Sequence, residues 1–385
     1  MSKKIAFVEI MYHETLLSEL SKLFLQLKDV NLTLFVSKEV FKRFDDTLKS
    51  DPRITFIQYD VPKISYRTFI KERSSISTVS GDIKERVNNG NFDFVIFETL
   101  QGWPFLKASY KELSAIKVKK AAVVHNADVW AGEKRNVPFS IRSVFMDDRR
   151  SHNYFKKWLK DLDFLITLED EQTQYLKEKI DFNPSNIITL RCKFAFDNKI
   201  NNSISDKITF TIPGSVDHLR RDYFGFLKAF EQIAMKHENV HAYLLGRMME
   251  TNVRNLILSS DILKSNLDFW DDYVPNNEFN EVISKSHFIV LPVAGIYKYG
   301  ITKITGPLYD ALVEAKPVII SNNVHVNPKY AKSLLVFEDQ NIFDVLENGI
   351  EIVKNGNYRV LVEEAENVRN LFKPENFFDE ILKMI

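Results

Sequence analysis

Short, unbroken apolar runs alternate along this chain with stretches in which apolar residues recur every three or four positions. In the first half the runs are KIAFVEI (4–10), LTLFVS (32–37), ITFIQY (54–59), FDFVIFETL (92–100) and KKAAVVHNA (119–127). A helical pattern covers ETLLSELSKLFLQLK (14–28), and an apolar run passes into a helical one over DFLITLEDEQTQYLKEK (163–179). The second half repeats this grammar. KITFTIPG (207–214), HAYLLGR (241–247), LDFWDDY (267–273), HFIVLPVAG (287–295) and LLVFED (334–339) read as strands. Helices are predicted over RDYFGFLKAFEQIAMKH (221–237) and NEFNEVISKS (277–286), with a helical tail from LVEEAENVRNLF to EILKMI. Strands that are continuously apolar, rather than alternating, are buried on both faces. That is the pattern of a parallel sheet covered by helices.

The rhythm breaks over RCKFAFDNKINNSISDK (191–207), which is polar and without period. A chain of 385 residues exceeds one ordinary core, so two domains of about 150–200 residues are expected. The expected fold is α/β, with two doubly wound Rossmann-like domains, residues 1–195 and 196–385, and a cleft between them. The last helix is a candidate for packing back on the first domain.

Charge adds little: 52 basic and 52 acidic residues cancel, which gives no support to nucleic-acid binding. The halves differ, with 32 − 26 = +6 over residues 1–195 and 20 − 26 = −6 over the remainder. A basic first half suits an anionic partner such as phosphates or a membrane. Cys192 is the only cysteine, which excludes a disulfide framework and a cysteine metal cluster. The first apolar run is too short for a signal peptide, and no run reaches the length that spans a bilayer. The expected location is the cytoplasm. SIRSVFMDDRRSHNYFKKWLK (140–160) offers a peripheral contact with the inner face of the membrane, against the plainer reading of an amphipathic helix with its aromatic side in the core.

In open parallel sheets, ligands bind beyond the carboxyl ends of the strands. After the strand that ends at Gly214 come Arg220 and Arg221, beside a predicted helix start, a corner suited to phosphate. After HFIVLPVAG comes YKYGITK, then Thr305-Gly306-Pro307, which reads as a helix start whose amides an anion can approach. Lys303 adds a point charge, and Asp310 lies one turn in, placed to accept ribose hydroxyls. His125 follows the run AAVV at a carboxyl end, where it can serve as base or hydrogen-bond a sugar. His13 and Glu14 follow the first strand. Asp128 and Trp130 are candidates to line an acceptor, although a packed tryptophan is as plausible. No metal-ligand spacing is visible.

Together these stretches resemble the donor domain of GT-B glycosyltransferases, in particular glycosyltransferase family 4 and relatives in bacterial surface-polysaccharide synthesis. The motifs are PGSV…Arg220-Arg221, LLGR, LDFWDDYVPNNEFNEVISKSHFIVLP and YGITKITGPLYDALVEAKPVIIS, covering residues 205–325; the first half resembles the family by architecture. The resemblance implies a nucleoside-diphosphate sugar as co-substrate, no metal or other cofactor, and a glycan or lipid-linked acceptor. It assigns Arg220, Arg221, Lys303, Thr305 and Gly306 to the donor diphosphate, and Gly214, Tyr273 and Asp310 to the nucleoside. His125, with Glu14 and His13, would be catalytic. The chain departs from the family in carrying Ser215 where an Arg is frequent, Thr302–Lys303 where a Glu is usual, Asp310 where the ribose-binding residue is Glu, and no glycine-rich loop near His13. Alternatives are a nucleotide-sugar epimerase of the same fold and a non-catalytic donor-binding module. A nicotinamide oxidoreductase is disfavoured, because PGSVDH stands where G-x-G-x-x-G is required.

Overall fold

The computed structural model describes residues 2–61, 69–100, 103–133, 148–196, 205–295, 297–338 and 341–385. Residues 140–147 of the basic-aromatic stretch and 197–204 of the polar join lie outside them. The chain forms two compact units. The first comprises Met1–Phe194, Ile301–Ile304 and Pro374–Ile385; the second comprises Ala195–Gly300 and Thr305–Lys373.

In the first unit seven strands form one sheet: β1 (Lys3–Glu9), β2 (Val30–Ser37), β3 (Ile54–Tyr59), β4 (Phe94–Phe97), β5 (Lys119–Val123), β6 (Phe164–Thr167) and β7 (Ile187–Thr189). Their order is β3-β2-β1-β4-β5-β6-β7, and every pair is parallel. The order reverses between β1 and β4, where Ile5 pairs with Phe94. Every residue of β4 and β6 is buried, as unbroken apolar runs require. The helix Asp148–Asp161 turns Phe155 and Trp158 into this core, and Tyr154 packs against it. Arg149, Arg150, Lys156, Lys157 and Lys160 stay exposed. The aromatic side is therefore core, not a membrane-inserting face.

The second unit has six parallel strands: β8 (Ile208–Pro213), β9 (Val240–Arg247), β10 (Leu267–Trp270), β11 (Phe288–Leu291), β12 (Val318–Ser321) and β13 (Leu334–Phe337). The order is β10-β9-β8-β11-β12-β13, with its reversal between β8 and β11. Phe210 of β8 packs on Phe288 of β11 at 5.7 Å between ring centroids and on Phe230 at 6.4 Å. Truncation of such a residue to Ala costs about 3–5 kcal/mol. The strand predicted over 287–295 stops at Leu291, because Pro292 has no amide to continue the ladder. The helix predicted from Arg221 begins at Tyr223, with Asp222 as its cap. Among the described residues, no helix is long and apolar enough to cross a membrane.

Candidate functional site

The two points of strand reversal are where a doubly wound sheet opens for a ligand, and each gathers part of the predicted set.

In the first unit β1 ends at Glu9 and β4 is followed by Glu98 and Thr99, all three buried. The Glu9 carboxyl accepts from the amides of Met11 at 2.6 Å and Tyr12 at 3.0 Å, and from the Thr99 hydroxyl. It thus ties down the connection that leads into the helix Glu14–Leu25. Burial, only partly offset by these bonds, pushes the Glu9 carboxyl up to about 7. Glu98 is raised well above the ordinary carboxyl range by burial, then by the neighbouring Glu9 and Glu14. Glu14 opens the helix, and burial raises its carboxyl as well.

His125 lies just past β5, and its Nε2 is 2.8 Å from the Glu98 carbonyl oxygen. A carbonyl only accepts, so Nε2 carries the proton and Nδ1 presents a lone pair. Burial, with the Lys303 charge as a smaller contribution, lowers the imidazole to about 4, so the ring is neutral at physiological pH. His13 stacks on it. Lys303 reaches this neighbourhood because Ile301–Ile304 belongs to the first unit: the Thr302 carbonyl accepts from the Ala127 amide at 2.8 Å and from Gln172 Nε2 at 3.2 Å. Trp130 is a core residue, stacked on Phe155 at 4.2 Å, and does not line a ligand surface.

In the second unit Gly214 closes β8 with φ +91°, and the Arg221 guanidinium lies over it. Arg221 is buried; its Nη1 donates to the Tyr223 hydroxyl at 3.0 Å and to the Gly214 carbonyl at 3.4 Å. No carboxylate among the described residues pairs with Arg221, an unusual state for a buried cation. Arg220 is half-exposed, with Nε 3.9 Å from an Asp217 carboxylate oxygen. The loop holding both is clamped to the end of β11: Asp222 N donates to the Pro292 carbonyl, Ala294 N to the Arg220 carbonyl, and Arg221 forms a bridge with Val293. The following helix does not offer a bare N-terminus, since the Asp222 carboxylate accepts from the Gly225 amide at 2.8 Å. One amide of the helix start beside Arg220 and Arg221 is therefore already bonded.

The helix Gly306–Val313 differs. Thr305 occupies the capping position in an extended conformation, but its side chain makes no cap bond. A Cβ on the exposed Gly306 would meet nothing within 4 Å, so a ligand can approach the amides there. Asp310 lies in this helix, partly buried. Tyr273 is exposed beyond β10, its hydroxyl donating to Asn276 at 2.9 Å.

The structure thus divides the sequence-predicted residues. His13, Glu14, His125 and Lys303 lie in the first unit; Gly214, Arg220, Arg221, Tyr273, Thr305, Gly306 and Asp310 lie in the second. Even the motif YGITKITG is split. Tyr299 and Gly300 are held in the second unit through a bridge to Val324 and a bond from His325 N to the Tyr299 carbonyl at 3.0 Å. Tyr299 is buried near Arg220 and Arg221, and burial raises its phenol. Glu9, Glu98 and Tyr299 were not singled out in the sequence. Nor was the group Asp217, His218 and Glu250, whose ligand atoms lie within 4.8 Å of one another in a geometry a metal ion can use. A His218–Glu250 contact at 2.7 Å accounts for that group without an ion.

By sequence, the chain matches no protein-family model and no curated relative. By structure it is similar to many solved proteins. A pneumococcal O-GlcNAc transferase in complex with UDP and GlcNAc superposes with TM-score 0.66 at 9% identity, over 99% of this chain and 98% of that one. The UDP-GlcNAc 2-epimerase of Neisseria meningitidis bound to UDP-GlcNAc gives 0.61 at 14%, over 99% and 100%. An α,α-trehalose 6-phosphate synthase from Burkholderia multivorans gives 0.64 at 10%, over 100% and 98%. At such identities the likeness is one of fold. Two successive parallel-sheet α/β units define the class: this chain has the GT-B-type, Rossmann-like fold.

Proposed function

We propose that this chain is a glycosyltransferase. It would move a sugar from a nucleoside-diphosphate sugar to a glycan or lipid-linked acceptor, as in surface-polysaccharide synthesis. The observation that carries the reading is Arg221, a buried guanidinium without a carboxylate partner at the reversal point of the second sheet. A diphosphate supplies the missing negative charge. The uncapped, glycine-opened helix at Gly306 supplies further donors in the same unit. Neighbours of the same fold are described with UDP or UDP-GlcNAc bound. Charge-supplying arginine and helix amides stabilise a leaving diphosphate as it develops. His125, neutral with Nδ1 as acceptor, is the base expected to take the acceptor hydroxyl proton.

A second reading has its own observation. The first unit gathers Glu9, Glu14, Glu98, His13 and His125, more proton-handling groups than one base requires. Removing and returning a proton at a sugar carbon, as an epimerase does, would use such a set.

A thermal-shift panel of nucleotides and nucleotide sugars tests the shared premise, because a ligand of the native state raises the melting temperature. If no nucleoside diphosphate stabilises the protein, both readings fall. Turnover of a nucleotide sugar supplied alone, giving an epimer rather than a transferred or hydrolysed sugar, selects the second.

A further inference from the structure

At the reversal point of the first sheet, two equally buried carboxyls are treated in opposite ways. Glu9 is bonded by the Met11 and Tyr12 amides and the Thr99 hydroxyl. Glu98 is fully buried directly after β4, and neither of its oxygens has a hydrogen-bond partner. The Leu17 amide comes near, but it already donates to the His13 carbonyl at 3.1 Å. Buried side-chain polar atoms are as a rule paired. Leaving one unpaired costs on the order of 1–3 kcal/mol, and an apolar side chain would avoid that cost. The fold does not explain a carboxyl here; a ligand does.

We propose that Glu98 is a ligand-binding residue of the first unit, its carboxyl reserved for a hydroxyl group of the sugar acceptor. The assignment rests on reading the first unit as the acceptor side. The groups facing Glu98 settle the ligand's chemistry. Glu9 and Glu14 stand on the β1 connection, and His125, on the β5 side, is bonded to the Glu98 main-chain carbonyl. Burial first, then the two carboxyl neighbours, raise Glu98 well above the ordinary carboxyl range, which favours its acid form. A neutral acid offers one O–H donor and one carbonyl acceptor, the complement of a sugar hydroxyl. A phosphate or carboxylate would meet repulsion from Glu9 and Glu14. Because Glu98 is buried, a local shift must open it before the hydroxyl can reach it.

The test uses the full chain and the infrared difference between wild type and Glu98→Gln, with and without glucose, galactose or N-acetylglucosamine at saturating concentration. The expected spectrum has an acid C=O band, lost in Glu98→Gln and moved to lower frequency by one of the sugars. A second variant, Glu98→Leu, which can neither donate nor accept, should weaken binding of that sugar at least about tenfold, the worth of one lost hydrogen bond, and leave UDP binding unchanged by calorimetry. Glu98→Leu should also melt higher than wild type, since it removes an unpaired buried group. A carboxylate spectrum, a band unmoved by every sugar, or a lower melting temperature in both variants overturns the assignment. If the band shifts but UDP does not bind, the donor reading falls and Glu98 stands. If UDP binds and the band does not move, only the Glu98 assignment falls.

Discussion

The ring of His13 lies face to face on the ring of His125, with centroids 4.1 Å apart and planes 13° apart. The Glu98 carbonyl holds the same imidazole at Nε2. Held at one edge and on one face, His125 can present Nδ1 in a single direction. Replacing His125 with Ala should therefore lower turnover by roughly 10²- to 10⁴-fold, the loss expected for a general base. His13→Phe keeps an aromatic face, and a stacked pair is worth about 0.5–1.5 kcal/mol. It should stay within about tenfold of wild type. Steady-state transfer rates for the two variants check this ordering, and equal losses would deny His125 its distinct role.

Arg221→Ala should abolish measurable binding of UDP in calorimetry. Arg221→Lys keeps the charge but not the planar fork, and should bind roughly 10- to 100-fold more weakly than wild type, the loss of one or two charge-assisted bonds. The intermediate value separates loss of ligand contact from collapse of the loop. Near-normal affinity in Arg221→Ala would remove the diphosphate from this corner.

Two glycines in the second unit should respond differently to alanine. Gly214 has φ +91°, and an added Cβ would sit 3.1 Å from Arg221 Nη2, a flexible group that can yield. The cost there should be about 1–2 kcal/mol, the penalty of a left-handed backbone. Gly300, with φ +85°, would drive its Cβ into the His325 main-chain carbonyl, which cannot yield alone. Gly300→Ala should show the larger fall in calorimetric melting temperature.

Burial lowers His287 from 6.5 to about 4, and Nδ1 accepts from the Thr209 amide at 3.3 Å. The folded protein therefore refuses a proton that the unfolded chain takes up below about pH 6.5. Stability from this group is complete above that pH and is lost as pH falls toward 4, by at most about 3 kcal/mol. His287→Gln should flatten the acid limb of the urea midpoint. Trp270, the only tryptophan of the second unit, reports it.

The sheets are legible because their central strands are buried on both faces, so β4 appears as an unbroken apolar run. For the same reason Glu9 and Glu98 do not stand out: each looks like the mere end of an apolar run. An acid at the carboxyl end of such a run, in a doubly wound sheet, was the signal that could have found them. The helix Phe69–Asn89 is not legible in the sequence because its buried apolar positions, Ile76, Ile83 and Val87, are too sparse to show a period. His125 and Arg221 were found because they follow strand ends directly or within a short loop. What they touch depends on β4 and β11, far away in sequence, which a linear pattern does not display.

The excursion of Ile301–Ile304 has a consequence for anyone dissecting the chain. A fragment ending at Phe194 would contain every strand of the first sheet, yet it would lack the Thr302 carbonyl that receives Ala127 N and Gln172 Nε2, and the terminal stretch Pro374–Ile385. The Ala127 amide and Gln172 Nε2 would lose their acceptor, and Phe194 would lose its edge contact with Phe377 at 5.2 Å. The first unit is thus no single cassette of coding sequence: it is assembled from three separate stretches of the chain.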